Sequence, residues 1–428
     1  MVRGTRCHGM GDHRQLSFAN QEKPGLAVQW RDSPIALPAA LRLRQELFLH
    51  ISHLLIVQYC AILVFSSLYA PQPLLPVLAE AFAVSEAKAS LLITVALLPL
   101  AIAPVAYGFL LQRLSARRLL IGATWLLAVT QVAVYLVTSF ELLLALRLAQ
   151  GLIIPAMLTS LMTYLAASAA PGQIARVMAI YIAASVLGGF LGRMISGLIS
   201  TQFGWRWSFL FLAVAIALCA LLLQRLKADP PVSFQRLDPR TILQVLRQPS
   251  FLRLYLVVFC AFGAFASLLN FLPFRLMELG TGLNETGIAF MYAGYLMGVV
   301  TSLLSLRIAD HIGGTVNTML LGSAVFLAAL LFFTGSQVWV MFVGMFVLCA
   351  GMFLIHSLAP GVLNQASGEQ RGVVNGLYIA FYYAGGTTGS FLPGFLYHGL
   401  GWHVYLGALA MTLCFGGWLL WTLRRSGF

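Results

Sequence analysis

The sequence predicts an all-α integral membrane protein with twelve transmembrane helices in two pseudo-symmetric six-helix bundles, and three observations predict it. First, 60% of the 428 residues are hydrophobic, only 9% are charged and the mean hydropathy is +0.88, a balance foreign to water-soluble domains. Second, the chain holds twelve apolar stretches of about 20 residues, the length that crosses the hydrocarbon of a bilayer as a helix. Third, the second half repeats the first. Tyr181, Gly188, Gly189, Gly192, Gly197, Gly204 and Trp205 recur, at an offset of 197, as Tyr378, Gly385, Gly386, Gly389, Gly394, Gly401 and Trp402. Open sheets are excluded because lipid cannot satisfy their edges, and the apolar runs do not alternate as barrel strands would.

Along the chain, residues 1–50 are polar and mixed in charge, without the short apolar core and cleavage site of a secretory signal. They read as a cytoplasmic tail. Ala36 to Leu49 is readable either as an interfacial helix, with Arg42 and Arg44 at lipid headgroups, or as unstructured chain. The first bundle, 51–224, holds stretches starting near Ser52, Lys88, Leu119, Leu142, Arg176 and Trp207. A linker, 225–250, is rich in basic residues and proline. The second bundle, 251–423, holds stretches starting near Phe251, Thr286, Val316, Val338, Gly372 and His403, and 424–428 is a short tail. The other loops are short, so consecutive helices are antiparallel neighbours.

The net charge of +13 does not point to nucleic acid, because the basic residues sort by membrane side. Those ahead of the first stretch (Arg3 through Arg44) share a side with Arg113, Arg117, Arg118, Arg225, Lys227, Arg240, Arg247, Arg307, Arg371, Arg424 and others. The opposite side has Lys88 and Arg206 against Glu80, Glu86, Glu141, Glu278 and Glu285. This asymmetry places both termini in the cytoplasm. The cysteines, Cys7, Cys60, Cys219, Cys260, Cys349 and Cys414, show no spacing suited to zinc, haem or a disulfide framework, and they read as packing residues. No cofactor or metal is expected.

Four short segments carry the mechanism. After the second stretch come Gly108, Gln112, Arg113, Ser115, Arg117 and Arg118, and the equivalent after the eighth is Arg307, Asp310, His311, Gly313 and Gly314. The fourth stretch opens with Arg147-x-x-Gln150-Gly151. The fifth holds Gly188, Gly189, Gly192, Arg193, Ser196 and Gly197. Over residues 50 to 425 these resemble the major facilitator superfamily. The first pair is similar to its cytoplasmic signature, with Gln112 in place of the acid and Ser115 in place of the second glycine. The resemblance implies a cytoplasmic gate at Gly108, Gln112, Arg113, Arg117, Asp310 and Gly313, weakened at Gln112. A plain charged anchor is the alternative. Arg147-x-x-Gln150-Gly151 resembles the family's intramembrane arginine motif, which implies a part in proton coupling or in organising the substrate cavity. The alternative is a structural arginine bonded to backbone carbonyls. The fifth stretch resembles the exporters' glycine motif, with Arg193 where that motif has proline.

Glycines spaced by four allow close helix contact. Gly188, Gly189, Gly192 and Gly197, with Gly385, Gly386, Gly389 and Gly394, are therefore expected to line the interface between the halves. A guanidinium left in hydrocarbon costs roughly 2.5–3.5 kcal/mol even on an insertion scale, so Arg147 and Arg193 are expected to face the bundle or a wet cavity. Arg193 lies seven residues before Ser200, roughly 10 Å along the axis at 1.5 Å per residue, and Arg147 lies at similar depth. No Asp or Glu stands at the centre of any stretch. Two options stay open: the substrate is an anion, or Glu80 and backbone carbonyls compensate and the substrate is neutral. His356 is the one intramembrane group with an unperturbed pKa near neutrality, although it is equally readable as packing. Tyr69 and Gln72 beside Pro71, Pro73 and Pro76, Asn270 beside Pro273, and Tyr378, Tyr382 and Tyr383 complete the candidate pathway, because proline frees backbone groups that can face a solute.

The function expected from these features is secondary active transport of a small-molecule substrate by alternating access: efflux of drug-like or sugar-like compounds, with protons as coupling ion, by a monomer in a bacterial inner membrane. Uptake of an organic anion is the alternative, and a transporter-like receptor or scaffold is the alternative of another class. No Gly-x-x-x-x-Gly-Lys-Ser/Thr loop is present for nucleotide hydrolysis, and no catalytic constellation argues for an enzyme.

Overall fold

The computed structural model describes residues 39–110, 115–169, 174–226, 239–367 and 370–425. Leu49–Phe428 forms one compact unit, and a separate unit, Met1–Phe48, is represented among the described residues by the start of the first helix. The described secondary structure is helical throughout, with no strand. In the first half of the chain, α1 (Ala39–Tyr69) is followed by a 3-10 turn at Gln72–Leu74 and by α2 (Leu75–Ala81). Then come α3 (Glu86–Leu110), α4 (Ala116–Leu136), α5 (Phe140–Ser168), α6 (Ile174–Phe203) and α7 (Trp205–Leu223). A short helix, α8 (Pro239–Arg247), lies in the predicted linker. In the second half, α9 (Pro249–Glu278) is followed by α10 (Glu285–Met291), a 3-10 turn at Tyr292–Gly294 and α11 (Tyr295–Ile312). The chain closes with α12 (Thr315–Ala329), α13 (Val338–Ala366), α14 (Arg371–Gly389), α15 (Leu392–Leu400) and α16 (Trp402–Arg425).

Ten helical runs among the described residues are long and apolar enough to cross a membrane. The stretches expected near Lys88 and Gly372 correspond to α3 and to α14 with α15. Helix boundaries follow local chemistry. Ser115, Ser139 and Asn284 accept from the backbone N–H three residues on and so start α4, α5 and α10. Gly204 (φ 88°) and Gly401 (φ 82°), a repeat pair, turn the chain into α7 and α16 in a conformation that L side chains resist.

The internal repeat is also a repeat of packing. Gly188 and Gly192 bring α6 against the backbone of Ile62 and Ser66 in α1, and Gly385 and Gly389 bring α14 against Phe259 and Gly263 in α9. The partners themselves are 197 residues apart. The Ser66 hydroxyl adds a 2.9 Å bond to the Gly188 carbonyl. These glycines therefore pack within each half of the chain, which corrects the expectation for the glycines themselves, although the helices that carry them do meet the opposite half, α14 against α3 and α6 against α10. The physical reason is that a glycine face sits where two backbones must come closest, and that place is the contact with α1 or α9. Gly386 and Gly394 face the Phe262 and Phe271 rings of α9, and Gly189 faces Arg193 and Tyr69. Gly197 alone of the eight meets the opposite half, where a Cβ would come within 2.6 Å of Ala289 and of the Glu285 carbonyl. Contact between halves runs chiefly through α3 with α14 and α6 with α10.

Candidate functional site

The site begins with prolines. Pro71 has no N–H, so the Ser67 carbonyl loses the donor that a continuing helix would supply. Arg147 of α5 fills the gap. Its Nη1 donates to the Ser67 carbonyl at 3.2 Å and to Gln150 Oε1 at 2.7 Å, its Nη2 to the Leu68 carbonyl at 2.8 Å, and its Nε to the Leu92 carbonyl at 3.0 Å. Arg147 is 0% exposed. Of the two readings left open by sequence, the geometry is that of an arginine tied to backbone carbonyls. Gly151, one residue past Gln150, lets α5 rest on the backbone of Ala96, which a Cβ would approach to 2.7 Å. The same logic recurs nearby: the Leu269 carbonyl, orphaned by Pro273 inside α9, accepts from Tyr292 Oη at 2.8 Å, and at the end of α1 the Ala70 carbonyl accepts from Ser196 Oγ at 2.7 Å.

Arg193 is also 0% exposed but is held differently. Its Nε donates to Gln72 Oε1 at 2.7 Å, its Nη1 to the Gly189 carbonyl and its Nη2 to Tyr295 Oη at 3.2 Å. The guanidinium lies 4.3, 5.0 and 4.6 Å from the ring centres of Tyr69, Tyr292 and Tyr295, within cation–π range. From Gln72 the chain of bonds continues into the second half. Gln72 Nε2 donates to Asn270 Oδ1 at 2.8 Å, Asn270 Nδ2 to the Ser390 carbonyl at 3.2 Å, and Ser390 Oγ meets Thr94 Oγ1 at 2.9 Å. Gln72, Asn270 and Ser390 are buried to within 1% of full enclosure. This polar belt crosses the seam twice more, from Arg193 to Tyr295 and from Ser390 to Thr94. It is also built on the repeat: Ser390 is Arg193 advanced by 197 residues, and Asn270 stands 198 residues after Gln72.

Nearer the chain turns, a rim reinforces the belt. Thr201 Oγ1 donates to Glu285 Oε2 at 3.1 Å, Ser200 Oγ to Glu285 Oε1 at 3.4 Å, and Thr286 bonds Thr201 through its N–H at 3.1 Å. Belt and rim both lie toward the end of the molecule where α6 finishes and α10 begins, here termed the Glu285 end. The acids there do not neutralise the arginines. Glu80 is exposed, Glu141 pairs with Lys88 at 3.2 Å and Glu278 with Arg275 at 3.0 Å. The i, i+3 spacing of Arg275 and Glu278 does bring them together, although such surface pairs contribute little.

A second cluster lies on α9, α13 and α14. Pro360 orphans the His356 carbonyl, which accepts from Tyr378 Oη at 3.3 Å, while the same oxygen is 2.7 Å from His356 Nδ1. The Tyr382 ring stacks on Phe262 with centroids 3.8 Å apart and stands 4.6 Å from the His356 ring. His356 and Tyr382 are half-buried. Tyr383 meets Phe262 edge-on at 6.1 Å.

The expected gate residues at the opposite end are not gathered in this way. Gln112 and Arg113 lie outside the described residues. Gly108 is within α3, Arg117 Nη2 donates to the Gln224 carbonyl of its own half at 2.6 Å, and Gly313 (φ 83°) caps α11. Asp310 is exposed and forms no ion pair with a described basic residue. Sequence reasoning thus found Tyr69, Gln72, Arg193 and Asn270 of the belt and missed Thr94, Tyr292, Tyr295 and Ser390. Applying the repeat offset to Arg193 would have found Ser390. Among the described residues no His, Cys, Asp and Glu side chains form a metal-binding group.

Known proteins share both sequence and fold with this chain. The model of the Major Facilitator Superfamily matches residues 59–355 and 278–427. An uncharacterized MFS-type transporter of Bacillus subtilis, YybF, is 26% identical over 85% of this chain and 91% of its own length. The inner membrane transport protein YnfM of Escherichia coli is 27% identical over 82% of this chain and 85% of its own. A bacterial homologue of the human lysosomal transporter Spinster, solved in an inward-facing and unoccupied conformation, superposes with a TM-score of 0.73 at 14% identity, covering 88% of this chain and 97% of that one. Its inward-facing and occupied form gives 0.72 at 15% identity, over 87% of this chain and 96% of that one.

Proposed function

The chain belongs to the major facilitator superfamily, a family of membrane transporters and not of enzymes, and we propose that it exports small organic compounds, drug-like or sugar-like, in exchange for protons. Two six-helix bundles, 51–224 and 251–423, rock about a central site in a bacterial inner membrane, with the chain a monomer and both termini cytoplasmic. The observation that carries this reading is the polar seam at the Glu285 end. The polar belt and the Thr201–Glu285 rim tie the halves together at the Glu285 end, which the basic residues assign to the outside. The Glu285 end is then closed on the outer side; the Spinster homologue of the same fold was solved in an inward-facing conformation. Alternating access needs a seam that parts without stranding charge in lipid, and a belt of amides, hydroxyls and one arginine meets that need: once open, each group faces water.

The export direction leans on the glycine-rich α6 and its exporter-like pattern. Proton exchange leans on His356, a titratable group held by Tyr378 inside the body of the molecule. The second reading, uptake of an organic anion, is favoured by Arg193, whose partners include no carboxylate. When the Glu285 end opens, Tyr292 and Tyr295 leave with the second half and the guanidinium faces the cavity. Arg147 adds little to that reading, because four of its five N–H donors are spent on its own half.

The test is accumulation of labelled dyes, sugars and organic anions in efflux-deficient cells with and without the protein, repeated with a protonophore. Lowered accumulation that the protonophore restores is expected. Raised accumulation, strongest for anions, replaces export with anion uptake.

A further inference from the structure

We propose that the ends of α9 and α16 opposite the Glu285 end, together with α8, form a binding site for an anionic phospholipid, whose phosphate meets a group of arginines and whose acyl chains lie along α16. The site is independent of what solute the chain carries and in which direction. Two helices bring the arginines to one level. The Ser267–Tyr405 bond of 3.0 Å and the approach of Gly416 to Cys260, where a Cβ would come within 3.4 Å, fix α9 and α16 as an antiparallel pair. Arg253 lies seven residues before Cys260 and Arg424 eight after Gly416, so each stands roughly 10–12 Å beyond that approach at about 1.5 Å per residue. Arg425 follows directly, and Arg247 closes α8 just ahead of α9. Arg247, Arg424 and Arg425 are exposed and Arg253 is half-buried. Among the described residues no carboxylate pairs with any of them.

Ahead of these arginines α16 turns aromatic rings outward. Phe415, Trp418 and Trp421 are 47%, 54% and 41% exposed, and the Arg425 guanidinium lies 3.6 Å from the centre of the Trp421 ring. Exposed tryptophan marks the depth where hydrocarbon gives way to headgroups. This face therefore sets apolar rings against acyl chains and arginines at the level of the phosphate. Charge sorting by membrane side asks only for basic residues in the loops, and it does not require a ladder of rings that ends beneath them. The short helix α8 repeats the arrangement within one turn. It packs on α9 and α14 with Val245 buried, while Leu243 stays exposed four residues before Arg247, so an apolar and a basic group share one face, as in helices that lie in the interface. A guanidinium takes a phosphate through paired, charge-assisted bonds. In a zwitterionic lipid the headgroup ammonium offsets that phosphate, whereas phosphatidylglycerol leaves its charge uncompensated, and clustered basic residues at a helix end select such lipids.

Retention of radiolabelled dioleoyl phosphatidylglycerol by the full chain, immobilised in detergent, tests the assignment, with unlabelled phosphatidylglycerol, phosphatidylcholine and glycerol phosphate as competitors. Saturable retention is expected, with phosphatidylcholine competing about tenfold less well than phosphatidylglycerol. Glycerol phosphate, which has the phosphate without the chains, should not compete. Arg424→Gln combined with Arg425→Gln should weaken retention about tenfold, and raising the salt to about 0.5 M should weaken it in the unaltered chain. Arg118→Gln removes an exposed charge from the same end of the first half and should leave retention within about twofold, because separated exposed charges are screened from one another. The competitors and the salt series keep the test decisive even if the double variant fails to fold. The proposal is overturned by absent or salt-insensitive retention, by equal competition from phosphatidylcholine, or by displacement with glycerol phosphate, which would mark a free-anion site. It is also overturned if the folded double variant retains the lipid as the parent does, or if Arg118→Gln loses as much, which would reduce the effect to net charge.

Discussion

Arg147 and Arg193 are the same residue in nearly the same circumstances, yet they are held by opposite kinds of partner. Both are 0% exposed, neither meets a carboxylate, and they touch successive turns of the broken rod formed by α1 and α2. Arg147 donates to three backbone carbonyls and one glutamine, all in its own half. Arg193 reaches a glutamine that is itself bonded across the seam, a tyrosine of the second half, and three aromatic faces. A backbone carbonyl is a fixed acceptor, whereas a side chain on another body can leave. The difference separates an arginine that makes the fold from one that belongs to a movable contact, and it teaches that an intramembrane arginine is classified by its partners and not by its burial.

The largest expected effect breaks the Arg147 side. Arg147→Ala leaves the Ser67, Leu68 and Leu92 carbonyls without this donor in a site closed to water, at about 1–3 kcal/mol for each buried group left unmet. The variant should yield little folded protein and a melting temperature well below that of the parent, measured by fluorescence-detected size exclusion after heating. Arg147→Lys should rescue it poorly, because an ammonium cannot span the separated acceptors that the guanidinium fork reaches. Normal stability in Arg147→Ala with selective loss of transport would erase the contrast and make Arg147 a transport residue.

The next effect acts on Arg193. Arg193→Ala removes the bonds to Gln72 and Tyr295 together, but the groups left behind can be hydrated once the Glu285 end opens. The protein should therefore fold and change its population of states. Spin labels at Gln202→Cys and Met277→Cys, both exposed positions on opposite halves at the Glu285 end, in a background without native cysteines, should report a longer distance in Arg193→Ala. Losing the bond across the seam to Tyr295, at about 1.5–3 kcal/mol for a bond to a charged group, is enough to shift the states by tenfold or more, since about 1.4 kcal/mol is tenfold. An unchanged distance distribution with a lost fold would place Arg193 in the same class as Arg147.

Much of this contrast was present in the sequence, and the part that was not has a physical reason. The apolar stretches marked the helices because lipid imposes a length, Pro71 marked the break where Gln72 sits, and Pro273, inside α9, marked the freed carbonyl one residue before Asn270. The repeat offset carried over to the packing partners, Ile62 with Phe259 and Ser66 with Gly263, because a duplicated bundle inherits its contacts. The glycines, however, showed only that something approaches closely. Whether that neighbour belongs to the same half or the other is a matter of helix rotation, which spacing by four does not encode. For the same reason Arg147 and Arg193 looked alike as residues in hydrocarbon, and Thr94 and Ser390 looked like ordinary small polar residues. The cytoplasmic signature was legible as sequence, but its members that are described stand apart in this state, with Asp310 exposed and Arg117 turned to Gln224.

The smallest effect probes the arm of the belt that the repeat leaves without an arginine. Thr94 and Ser390 join α3 to α14 by one contact of 2.9 Å, and each hydroxyl also has a partner within its own helix, Ser90 for Thr94 and Thr387 for Ser390. Thr94→Val keeps the shape and removes one neutral bond, leaving Ser390 its bond to the Thr387 carbonyl. The expected cost to the closed end is about 0.5–1.5 kcal/mol, a shift of roughly twofold to tenfold in the spin-label populations. Tyr295→Phe, which removes the equivalent bond on the arginine side, should cost more, because that bond is charge-assisted. If Thr94→Val opens the Glu285 end as far as Arg193→Ala does, the weight of the seam rests on α3 and α14 and Arg193 is a bystander in it. If it opens the end by the smaller margin, the two arms differ in strength as their partners differ in charge, and the pseudo-symmetric belt is held chiefly from the first half.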